Sequence, residues 1–97
     1  MKPQLSLVSI KRLCVPVLRR AGVKRASVFG SYATGLAKKS SDVDILFTPP
    51  THFGLFELVD LSQKLEKVLG TSVDLVTERA LHPLLKKRVK QEAKKIL

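Results

Sequence analysis

Along the first twenty residues the apolar positions Ile10, Leu13, Cys14, Val17, Leu18 and Ala21 recur at steps of three and one, the stripe of an amphipathic helix. Arg19 and Arg20 followed by Gly22 supply a stop signal. The pattern predicts a helix over residues 6–21, kinked or divided at Pro16, which lacks the backbone N–H that the helix needs there. A second stripe, Leu58, Leu61, Leu65, Val68 and Leu69, ends at Gly70. Pro83 suits the opening of a final helix, whose apolar positions Leu85, Val89, Ala93, Ile96 and Leu97 are expected to share a face opposite a cationic surface.

Between these stripes the period changes. Residues 25–29 end in Val28 and Phe29 and suit a short strand, and "DVDILF" from Asp42 to Phe47 alternates before Pro49 and Pro50 end it. "TSVDLVT", Thr71 to Thr77, is rich in β-branched residues and reads as a third strand. A short helix is expected to start at "YATG" after the first strand, giving the order αβαβαβα and an α+β class. On the second strand Val43, Ile45 and Phe47 are expected to face the helices, with Asp42, Asp44 and Leu46 facing the other way. Asp74 stands opposite to Val73 and Leu75 on the third by the same alternation.

At 97 residues and 44% hydrophobic content, the chain reads as one domain over 1–97, with room for one core but not for a separate substrate domain. The single Cys14 excludes an internal disulfide and suits a reducing cytoplasm; it reads as a small core residue. The apolar run Leu5–Ile10 is cut by Lys11 and Arg12, too short for a signal peptide core or a membrane span. Net charge is +10 and unevenly spread: +7 in residues 1–25, −3 in 26–78 and +6 in 79–97. Basic ends suggest an anionic partner, and "LLKKRVKQEAKKIL" can be read as a nucleic-acid or acidic-protein contact or as a solvated helix face.

The acidic middle carries the candidate chemistry. Aspartate is depleted in strands, and two carboxylates at alternate positions repel on one face. Hard oxygen donors held together without histidines or thiolates suit Mg²⁺ or Mn²⁺, which would offset that repulsion. Asp74 could join them if the second and third strands are neighbours. Upstream, Gly30 permits close backbone approach and Ser31 offers a hydroxyl at a helix start, features that favour phosphate. The bland alternative is that Ser40, Ser41 and Asp42 merely shape a turn, with Gly30 and Ser31 a turn residue and a cap.

Together "GSYATG", "SDVD" and a strand-borne Asp74 resemble the nucleotidyltransferase fold shared by DNA polymerase β, kanamycin-type resistance enzymes and the minimal nucleotidyltransferases, the last being nearest in length. The resemblance implies a small mixed β-sheet with helices packed on one side. It implies that Asp42, Asp44 and Asp74 bind two metal ions, Mg²⁺ or alternatively Mn²⁺, with Asp74 also orienting the attacking hydroxyl, and that Gly30 and Ser31 hold the phosphates of ATP. Many relatives have Arg where this chain has Thr34; Lys38 and Lys39 are the candidate substitutes. In the minimal group the partner is often a HEPN-family ribonuclease toxin, which implies an antitoxin that transfers AMP to a toxin hydroxyl, a tyrosine by expectation.

Two readings from other classes stand beside the enzyme. One is a non-catalytic module that neutralises its partner by contact through the terminal helices. The other is a nucleic-acid-binding protein whose basic ends release counterions on binding.

Overall fold

The computed structural model describes residues 5–38 and 40–97. It contains helices α1 (Leu7–Arg20), α2 (Ser31–Thr34), α3 (Leu55–Leu69) and α4 (Pro83–Glu92), strands β1 (Arg25–Phe29), β2 (Val43–Thr48), β3 (Val73–Thr77) and β4 (Lys94–Lys95), and a 3₁₀ turn at Glu78–Ala80. The strands form one mixed sheet in the order β3-β2-β1-β4. β1 runs antiparallel to both β2 and β4, and β2 runs parallel to β3.

α1 starts where Ser6 Oγ accepts the Ser9 N–H at 3.1 Å, satisfying one of the orphan donors of a first turn. Ile10, Cys14 and Leu18 are wholly buried at steps of four. Of the two outcomes expected at Pro16, division does not occur: α1 is continuous across it. Pro16 lies on the exposed side, where water can serve the carbonyl that its ring leaves without a donor, while the buried stripe holds the helix from the other side.

Leu61, Leu65 and Leu69 of α3 pack with the α1 stripe onto Ala26, Val28, Val43, Ile45, Phe47 and Val73 of the sheet. This is the helix-facing set that the alternation of β2 predicts, and Tyr32 joins the same cluster. Phe53 meets Phe47 edge to face, with ring centroids 5.5 Å apart. Burial pushes the Cys14 thiol up to about 12, so Cys14 serves the core as an uncharged side chain. Leu46 is buried outside this cluster, as is Leu81 after the 3₁₀ turn adjoining β2.

The C-terminus departs from expectation. α4 ends at Glu92, Ala93 turns to extended backbone, and Lys94 and Lys95 pair with Val28 and Ser27. The Ala26 N–H donates to the Leu97 carbonyl at 3.1 Å and the Ile96 N–H to the Ala26 carbonyl at 3.0 Å. Ile96, just after this short edge strand, is therefore buried beside β1 rather than on a helix face, and no residue of α4 itself is buried. A strand here fills the hydrogen-bonding margin of β1, which a longer helix would leave unpaired.

Candidate active site

The site lies where β1 ends and β2 and β3 begin. Across these strands Phe29 pairs with Asp44, and Asp44 with Asp74. Residues paired in register share a face of the sheet, so the two carboxylates project side by side, away from the core-facing Val43, Val73 and Ile45. β2 starts at Val43, one residue later than the sequence suggests, which leaves Asp42 exposed just ahead of the strand. Asp74 is exposed and Asp44 half-buried.

Gly30 joins β1 to α2 with φ +69° and ψ −149°, a region that side chains other than glycine's barely visit. A Cβ there would run into Asp44 Oδ2 and stand 3.2 Å from its Cγ. Ser31 is the first residue of α2, and no side chain caps that helix start. The Gly30 carbonyl is occupied by the N–H groups of Ala33 and Thr34.

Thr34 turns its hydroxyl back on its own helix, 3.3 Å from the Gly30 carbonyl and 3.4 Å from that of Ser31. It offers no cation to a ligand. In the following loop the Lys38 N–H donates to Ser41 Oγ at 2.8 Å, and the Ser41 N–H to the Lys38 carbonyl at 3.0 Å. This closed turn leads into Asp42 with the Lys38 side chain exposed; Lys39 lies outside the described residues.

The electrostatics follow from the crowding of like charge. Asp44 is pushed up to about 6, first by burial and then by the charges of Asp74 and Asp42. Among the described residues no cation is in ion-pair contact with these three carboxylates, and no three His, Cys, Asp or Glu side chains form a ready-made metal cage. The donor set nonetheless fits a hard divalent cation: it is all carboxylate oxygen, and its charge is uncompensated.

Glu66 escapes sequence reading. It lies on α3, and its carboxylate accepts the Val73 N–H at 3.0 Å, one residue before Asp74. Its own carbonyl accepts the Gly70 N–H at 2.7 Å. The only sequence signal is an acid four residues before the glycine that ends the helix.

A family model described as a nucleotidyltransferase domain matches residues 10–96. A candidate protein adenylyltransferase of Methanocaldococcus jannaschii is 46% identical over 93 residues, which are 96% of this chain and 100% of that protein. A solved structure of a candidate minimal nucleotidyltransferase superposes with a TM-score of 0.80 at 34% identity, covering 95% of this chain and 97% of that one. A toxin-antitoxin complex with AMP-PNP contains a chain with a TM-score of 0.78 and 27% identity, covering 90% of this chain and 72% of that one. By family model, sequence and fold alike, the chain belongs to the nucleotidyltransferase domain family and is a nucleotidyltransferase.

Proposed function

We propose that the protein transfers AMP from ATP to a hydroxyl of a partner protein, as the antitoxin of a HEPN-type ribonuclease toxin. The observation that carries this reading is the parallel register that sets Asp74 beside Asp44, next to the glycine turn at Gly30. The names of the relatives support the kind of transfer: one is called a candidate protein adenylyltransferase, and another comes from a toxin-antitoxin complex that holds AMP-PNP.

In this reading Asp42, Asp44 and Asp74 would hold Mg²⁺, or Mn²⁺ in its place. When bound, such a cation supplies neutralisation of phosphate charge and lowers the pKa of a coordinated hydroxyl. Asp74, the most open of the strand-borne pair, accepts the hydrogen bond of the incoming hydroxyl and aims its oxygen at the α-phosphorus. As the new P–O bond forms, the bond to the β-phosphate oxygen breaks and pyrophosphate leaves; the hydroxyl proton passes to the Asp74 carboxylate and on to water. Gly30 and Ser31 keep the backbone at the head of α2 close to the phosphates, and Lys38 offers the charge that Thr34 does not. Orientation and electrostatics carry such a reaction, since the covalent chemistry belongs to the nucleotide.

The test is to incubate the protein with Mg²⁺ and ATP labelled at the α-phosphate in a lysate of its own host, beside an Asp42→Asn/Asp44→Asn variant. A labelled protein band that is lost in the variant is the expected result and identifies the acceptor. If the variant still neutralises its partner in cells, neutralisation works by contact and the proposal fails.

A further inference from the structure

We infer that Glu66 is a positioning residue for Asp74, acting through the backbone of β3 rather than on any ligand. The inference rests on the role proposed above for Asp74. β3 is an edge strand bonded on one side only, to β2, so alternate amides along it point away from the sheet. The Val73 N–H is one of these, and Glu66 Oε2 takes it at 3.0 Å in a partly buried contact. On the inward side the Val43 N–H donates to the Ser72 carbonyl at 3.0 Å, the first rung between β2 and β3.

The start of β3 is thus held from both margins, by Val43 on one side and Glu66 on the other. The backbone of Glu66 is itself fixed, because its carbonyl receives the Gly70 N–H and Gly70, at φ +71°, reverses the chain. The consequence for Asp74 is geometric. Side chains alternate across a strand, so a slip of β3 by one residue would send Asp74 to the core face and bring Val73 or Leu75 beside Asp44. A short edge strand with a free outer margin specifies its register weakly; a charged acceptor on the amide next to Asp74 specifies it strongly. No cation pairs with Glu66 among the described residues; the contact its carboxylate makes there is with the Val73 N–H.

The experiment compares Glu66→Ala, Glu66→Gln, Asp74→Asn and Leu13→Ala. The last is a destabilising control in α1, packed against the core but far in sequence from β3. Two quantities are read on folded protein: amide hydrogen exchange along the chain, and the affinity for Mn²⁺ with AMP-PNP followed by electron paramagnetic resonance. Glu66→Ala should lose protection at Val73 and its β3 neighbours while β1 stays protected, and should weaken Mn²⁺ binding roughly 10- to 100-fold, the usual range for a group that orients a metal ligand. Glu66→Gln keeps an amide oxygen for the Val73 N–H and should recover most of both. Leu13→Ala should lower the melting temperature without changing Mn²⁺ affinity. If Asp74→Asn weakens Mn²⁺ binding while Glu66→Ala does not, or if Leu13→Ala weakens it as much as Glu66→Ala, Glu66 is not a positioning residue. If Asp74→Asn itself binds Mn²⁺ as the parent does, the reading of Asp74 fails instead.

Discussion

The carboxylate of Asp44 rests against the Cα of Gly30, in the space where any other residue would carry its Cβ. Gly30 is therefore required twice, by its backbone angles and by the carboxylate that leans on it.

Replacing Gly30 should be severe for both reasons. Gly30→Ala should cost about 1–3 kcal/mol of stability from the backbone conformation alone, and it must also displace Asp44. Thermal unfolding of the variant checks the first effect, and loss of label transfer from ATP at a temperature where the variant remains folded checks the second.

Asp44 should make the metal-free protein respond to pH in a distinctive direction. Its folded value of about 6 lies above the 3.8 of an ordinary aspartate, so folding favours the protonated form. This contribution is fully present below pH 3.8 and is lost as the pH rises through 6. Asp44→Asn, which cannot ionise, should raise the melting temperature of metal-free protein at pH 8, and the gain should shrink as the pH falls through 6. A gain that is equal at pH 8 and pH 4 would remove the electrostatic explanation.

Protonation and metal binding then compete at low pH, since ligands must be deprotonated to bind. The affinity for Mn²⁺ is expected to fall as the pH drops from 8 through 6, a trend that isothermal titration at matched ionic strength would reveal.

Asp74→Asn keeps the size and exposure of the side chain and removes its charge. The variant should retain the circular dichroism of the parent and lose label transfer by roughly 100-fold or more, in the range that a positioned acid–base group supplies. Transfer at the parental rate would remove Asp74 from the reaction.

Ile96 tests the rebuilt C-terminus. It is 4% exposed, one residue after β4, so Ile96→Ala should destabilise by about 2–5 kcal/mol, whereas truncating exposed Leu84 on α4 should do little. Urea unfolding of the two variants would separate a docked strand from a helix face.

How far the residues themselves announce this arrangement depends on the physics behind each feature. The face of Asp44 was readable, because the alternation of β2 is strict and three of its residues reach the core. The stripes of α1 and α3 were readable for the same reason. The adjacency of Asp44 and Asp74 was not, since it is made by a parallel crossover through α3, and periodicity within a strand says nothing about its neighbour. Ile96 and Leu97 misled because their spacing also satisfies a helix; the open margin of β1 decided the matter. By its sequence context Gly30 suits ligand approach, and the group that presses on it is Asp44. Glu66 carries no mark of its role in the sequence, because a bond from a side chain to a strand seven residues away has no periodicity.

The two lysines of β4 bear on how other proteins can meet this one. They close the β1 margin of the sheet with a strand only two residues long, both exposed and both cationic. A chain approaching there finds a very short ladder and like-signed charge wherever its own side chains are basic, the arrangement by which proteins discourage sheets from zipping together. Strand-to-strand growth along that margin is thus blunted by both its brevity and its charge.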